Sequence, residues 1–313
     1  MWVFLAFISA FFLGFYDVAK KQSLKDNAVL SVLFLNTIFC TAIFLPFIIL
    51  SNINPQLLKG TFFNAGLNIG FKSLEYISPL KAHITVIIKS CIVLSSWIMG
   101  YFALKHLPLT LAGPINATRP VLVLVGAIFL FNEKLNIIQW SGVAVALFSL
   151  FLLSLSGKKE GIDFKSNKWI YCLFGAVIMG AVSGLYDKFI MKFLPPMFVQ
   201  SWFNVYQVFI MGILVLLMRK HGGKLKWRWS IPLISLFVSI ADFAYFYCLS
   251  NPDALIAVVS MVRRGSVIVS FTAGVLLFKD KNIKSKAIDL VFVLLGLILL
   301  CWGSLVLNEF KII

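Results

Sequence analysis

Ten apolar runs, each about 20 residues long and separated by short polar gaps, set the tightest limit on what this chain can fold into. They cover residues 2–19, 30–50, 84–105, 108–131, 135–156, 169–190, 197–218, 230–249, 253–278 and 286–307. Hydrocarbon offers no partner for a backbone N–H or C=O, so a run of this length must satisfy its own backbone as a helix. The expected fold is therefore an all-α membrane protein of ten transmembrane helices. Hydrophobic residues make up 60% of the 313, charged residues only 13%, and the mean hydropathy of +0.96 excludes an ordinary soluble domain. The net charge of +16 would suit nucleic acid, but the lysines and arginines sit in the gaps and not on one basic face. They read as membrane-flanking charges, the lipid bilayer is the partner, and no nucleic acid is expected.

The gaps punctuate the chain in the way helical spans require, with Gly, Pro, Asn or Lys, as in the NEK of 132–134 around Glu133. The GKKEGIDFKSNK of 157–168 divides the runs into two sets of five, giving a first unit over 1–156, a linker over 157–168 and a second unit over 169–313. One gap is longer. Residues 51–83 mix Lys72, Glu75 and Lys81 with Phe and Leu, which fits either a surface-lying amphipathic helix or an irregular loop. The first run reads as a retained span, since it lacks a basic leading region and continues into Asp17. Five cysteines fall singly in five different runs, so neither a disulfide framework nor a metal site is supported.

The two units resemble each other. Residues 95–134 return, shifted by 144 positions, with Ser95, Tyr101, Phe102, Pro108, Leu111 and Arg119 matched by Ser239, Tyr245, Phe246, Pro252, Leu255 and Arg263, six identities in 25 positions. The opening of each unit repeats as well, GFYDVAKKQSL from Gly14 against GLYDKFIMKFL from Gly184, with Asn36 and Asn204 following at nearly the same interval. Five spans per unit is an odd number, so the second unit enters the membrane in the opposite sense to the first. Inverted five-helix repeats are a hallmark of transporters. Lys and Arg number 17 in and beside the odd-numbered gaps against 7 in the even-numbered gaps and the tail, which by the positive-inside rule places both termini outside.

These residues resemble the EamA-type transporters of the drug/metabolite transporter superfamily, most clearly over YFALKHLPLTLAGPINATRPVLVLVGAIFLFNEKLNIIQWSGVAVAL from Tyr101. Ala103, Pro108, Pro120, Glu133 and Gly142 stand where the family pattern has them. The second copy departs, with Arg264 and Gly265 near the midhelix proline position and Asp280 in place of the glutamate. The resemblance implies a ten-helix carrier of small metabolites with a central cavity in the cell membrane, and cytoplasmic termini, the reverse of the charge count.

Charged residues inside apolar runs are the candidate site. A helix rises about 1.5 Å per residue, so eleven residues past Pro108 or Pro252 is about 16 Å, near the middle of a ~30 Å core. Arg119 and Arg263 are thus expected at the midplane, where a cation lines a cavity or pairs with a buried acid. Pro120 frees the carbonyl of Asn116 and Pro114 that of Thr110, so the helix leading to Arg119 offers backbone groups to a solute, unless the prolines serve packing alone. Gly265 loosens the second copy similarly. Substrate contacts are expected from Arg119, Arg263, Tyr101, Tyr245 and Asn116. Asp242, in midspan, needs Arg263, Arg264 or Lys89, as a proton-coupling acid or in a static salt bridge. Asp17 beside Lys20 and Asp187 beside Lys188 suit gates or helix-end pairing, with plain interfacial placement the alternative. Lys89 is expected to snorkel to the interface. Trp97, Trp202 and Tyr206 either line a cavity or anchor helices, and Asn36 and Asn204 either bridge helices or touch the solute.

Lys89, Arg119, Arg263 and Arg264 against Asp17, Asp187 and Asp242 leaves one positive charge inside the spans. The expected function is alternating-access transport of a small polar or anionic metabolite, amino-acid-like or similar, with no cofactor. A lipid-carrier flippase is the alternative. An embedded enzyme has little support, because His83, His106 and His221 sit at span ends or in gaps, and neither HExxH, GxSxG nor an acid pair at catalytic spacing occurs.

Overall fold

The structure, a computed structural model, describes residues 2–54, 57–58, 61, 63–66, 78–131, 136–158, 162, 164–218, 225–251, 256–280 and 283–309. These fold into α1 (Trp2–Leu24), α2 (Val29–Ile53), α3 (Pro79–His106), α4 (Leu109–Ala117), α5 (Arg119–Phe131), α6 (Ile137–Lys158), α7 (Lys168–Ile190), α8 (Pro196–Leu217), α9 (Ser230–Ser250), α10 (Ile256–Arg264), α11 (Ser266–Leu276) and α12 (Ile283–Glu309). Among the described residues, seven stretches are long and apolar enough to cross a membrane: α2, α3, Leu109–Gly126, α7, α8, α9 and Val259–Leu276. Pro252, Leu255, Glu133, His221, Lys72 and Glu75 lie outside the described residues, and with them the question of a surface helix in the long gap.

Burial is inverted relative to a water-soluble protein. Phe4, Phe7, Phe11 and Phe15 form an exposed stripe on α1, with Phe4 68% exposed, whereas Lys89, Asp187, Asn36 and Gln207 are buried. Only a hydrocarbon surround makes that arrangement favourable, since lipid tails replace water as solvent for the apolar faces.

Helices pack in antiparallel pairs. Along α1 and α9, the Ser23 hydroxyl donates to Ser230 at 2.6 Å, Ser9 to the Ala241 carbonyl at 2.7 Å and the Cys248 thiol to the Trp2 carbonyl at 3.2 Å. Along α3 and α7, Ser96 donates to the Ala176 carbonyl at 2.7 Å and Tyr186 to the Thr85 carbonyl at 3.2 Å. The other two pairs are α2 with α8 and α6 with α12. Between α6 and α12 the backbones themselves touch: a side chain at Gly142 would meet the Gly296 carbonyl, and one at Gly296 the Gly142 carbonyl. Small residues permit this approach, which in a membrane substitutes dispersion for the missing hydrophobic drive.

The relation between helix directions follows from these contacts. Lys21 near the end of α1 donates to the Leu104 and Leu107 carbonyls, 2.7 Å away in the first case, so α1 and α3 finish at the same end. Since α3 and α7 are antiparallel, α1 and α7 run in opposite directions. At that same end the Asp280 carboxylate accepts from the Thr110 amide at 3.0 Å and hydroxyl at 2.9 Å, satisfying free donors in the first turn of α4. The buried Lys286 amine donates to the Thr110 hydroxyl at 3.0 Å.

One boundary corrects the sequence reading. The third span begins at Pro79 and not at 84, because the Ser78 hydroxyl accepts from the Lys81 amide and Pro79 takes the first helical position, where its missing N–H costs nothing.

Candidate functional site

The long midspan helix of each half is interrupted where its arginines lie. In the first half α4 stops at Ala117 and α5 starts at Arg119, with Thr118 between them turning its hydroxyl back to the Ile115 carbonyl at 2.7 Å. Pro120 has no amide to continue the ladder, so the break falls immediately ahead of it. In the second half α10 ends on Arg264 and α11 begins at Ser266, with the Gly265 amide closing a tighter turn on the Val262 carbonyl at 2.9 Å.

Both breaks face one cavity of about 150 Å³, lined by α1, α3, α4, α5, α7, α9, α10 and α11, with Phe203 of α8 in its wall. Its wall carries Arg119, Arg263, Arg264, Lys20 and Lys89 together with Asp17, Asp187 and Asp242. Three of these cations are matched. Lys20 pairs with Asp17 at 2.8 Å, Lys89 with Asp187, and Arg263 with Asp242. The Lys20 amine also lies 4.3 Å from the ring centre of Tyr16 and 5.3 Å from that of Tyr101, while the Arg263 guanidinium stands 4.1 Å over Tyr245. The two tyrosines that match in the repeat thus each face a cation, an attraction between positive charge and the negative ring face.

Arg119 and Arg264 have no hydrogen-bond or ion-pair partner among the described residues, and the Nε of each is buried and unpaired. Arg119 lies flat on α7 at Gly180, where even a methyl group would collide with its guanidinium.

Of the residues expected at the site, Arg119, Arg263, Arg264, Tyr101, Tyr245, Asn116, Asp242, Asp17 and Asp187 all line this cavity, as does Trp97. Trp202 and Tyr206 do not; they pack around His83, whose ring nitrogen lies 2.8 Å from the Tyr206 hydroxyl. Asn36 bridges helices, accepting from Ser235 at 2.9 Å, and Asn204 donates within its own helix to the Gln200 carbonyl at 2.9 Å. One expectation is corrected. Lys89 does not snorkel: it is 2% exposed and paired. Its partner is Asp187, in the last turn of α7. The sequence reading also passed over Lys20 as a cavity residue, and over Tyr16 and Gly180. Tyr16 was marked by the repeated GFYD/GLYD; nothing local marked Gly180, because its role depends on a side chain from another helix.

Residues 1–155 match the model of the EamA-like transporter family. The chain is a member of that family. It is accordingly a transporter and not an enzyme, a multi-pass integral protein of the plasma or inner membrane. No curated protein matches it in sequence. A solved crystal structure superposes with a TM-score of 0.62 over 95% of this chain and 94% of that one, at 15% identity, a likeness of fold.

Proposed function

We propose that this EamA-like transporter moves a small anionic or strongly polar metabolite by alternating access, through ten spans arranged as two inverted five-helix repeats over 1–156 and 169–313. The observation that carries the reading is the pair of arginine-bearing helix breaks, one from each half, opening into one shared cavity. Interrupted helices at a repeat interface are how secondary transporters bind solutes. Counting α4 with α5 and α10 with α11 as single interrupted spans gives ten, five in each half. The packing supports the repeat: exchanging the two halves turns the α1–α9 pair into α7–α3, leaves α2–α8 and α6–α12 unchanged, and turns α1–α11 into α7–α5. Gly14 of α1 faces Val269 of α11 and Gly184 of α7 faces Val123 of α5, contacts between the same exchanged helix pairs.

Within this reading Arg119 and its neighbours bind the solute, and Asp242 is the coupling acid that holds Arg263. The Asp17–Lys20 and Asp187–Lys89 pairs, displaced toward opposite ends, serve as gates. Proteoliposomes offered labelled small acids, amino acids and neutral sugars test it. Arg119→Gln is expected to cut uptake of an anion at least tenfold, and Asp242→Asn to abolish the response to an imposed pH gradient. Wild-type uptake by Arg119→Gln makes the arginine structural and sinks the anion reading. Transport confined to lipid-linked compounds would favour the flippase alternative.

A further inference from the structure

We infer that the solute is a compact dianion, such as a small dicarboxylate or a phosphate monoester, clasped between Arg119 and Arg264. The inference rests on the anion reading above and adds its charge. Five cations and three carboxylates line the cavity, and the three carboxylates are each already engaged by one cation. Two guanidinium charges are left over, one more than the sequence alone suggested, because Lys20 also faces inward and takes Asp17.

The leftover charges are placed for joint use. Arg119 opens α5 and Arg264 closes α10, so one comes from each half, and both line the same cavity. Gly180 backs the Arg119 guanidinium, which fixes its plane and leaves its donor edge for a ligand. Guanidinium forks match the paired oxygens of carboxylate and phosphate, and a fork held in position loses little freedom on binding. Arg119 also sits at the amino end of the thirteen-residue α5, where the helix dipole adds positive potential.

Energetics select the charge. An unmatched cation deep in a membrane costs several kcal/mol, and two side by side repel as well. A neutral solute or zwitterion relieves neither, and a monoanion leaves one guanidinium bare. A dianion matches both. The cavity volume of about 150 Å³ is on the scale of a small-molecule solute, the size at which an engineered cavity takes up benzene.

The test is thermal unfolding of the detergent-purified full chain, followed by tryptophan fluorescence at constant ionic strength. The probes are succinate, monomethyl succinate and succinamide, with glycerol phosphate and glycerol as the second series. Succinate or glycerol phosphate is expected to raise Tm at concentrations at least tenfold below those needed of the monoanion, and the neutral analogues to have no effect. Which dianion acts separates the carboxylate from the phosphate source. Arg119→Gln and Arg264→Gln should each erase the preference for two charges while raising the ligand-free Tm, since each removes an unmatched buried charge. Equal stabilisation by mono- and dianions overturns the dianion inference and leaves the anion reading standing. No stabilisation by any of these anions overturns both.

Discussion

Lys89 shows how much a single position depends on where its helix begins. Depth counted from the apolar run put it near the interface, but α3 starts five residues earlier, at Pro79, so that Lys89 lies ten residues, or about 15 Å, into the helix and its ammonium is past the reach of a snorkelling stem. It then needs an anion, and Asp187 supplies one. Removing either partner strands the other, at a cost of about 3–5 kcal/mol, whereas a packed apolar pair avoids the desolvation altogether. Lys89→Gln and Asp187→Asn are therefore each expected to lower unfolding stability by that amount, and Lys89→Met combined with Asp187→Leu to lower it far less. A double variant as unstable as either single one would mean the pair is not what holds this region. Arg119 was legible where Lys89 was not, because Pro108 pins the start of its helix and a count of eleven residues then suffices. Partner choice was not legible for either residue: nothing local distinguishes Arg263, which Asp242 takes, from Arg264, which it leaves.

The apolar runs were readable as helices because spanning length and backbone satisfaction leave no other solution. The breaks were half readable. Pro120 announces one, while Gly265 becomes a break only in company with the arginines before it. Which helices lie side by side was not readable from hydropathy, since lipid and protein neighbours are equally apolar. The α6–α12 pair illustrates the gap, for Gly142 stood out only as part of a family pattern, and its contact with Gly296 needed the fold. Because the atoms facing each glycine include backbone, a larger residue cannot be accommodated by a side-chain rotation. Gly142→Val and Gly296→Val are each expected to cost about 1–3 kcal/mol of unfolding stability through overpacking. Unchanged thermal unfolding in both would show that the two helices can separate freely.

At the scale of the molecule, composition and the apolar runs settled membrane embedding from the sequence, and the net charge of the cavity did not emerge until side chains could be paired. Basic residues of the connectors gather at one end, among them Lys21, Lys25, Lys105, Lys165, Lys168, Lys226, Arg228, Lys279 and Lys284, at the ends of α1, α3, α6, α8 and α11. The positive-inside rule predicts that this end is cytoplasmic. Lys165→Cys, in a background cleared of the native thiols including the exposed Cys91, should then resist a membrane-impermeant maleimide in intact cells. Labelling of that cysteine reverses the assignment. The two unpartnered guanidiniums have one more consequence, which concerns voltage. On the dianion proposal, the carrier is doubly positive when empty and neutral when occupied, and so acts as a gating charge in only half of its cycle. At about 2.3 kcal/mol per charge per 100 mV across the full field, even a modest shift of the arginines along the membrane normal couples the unloaded return step to the membrane potential, while the loaded step proceeds almost blind to it.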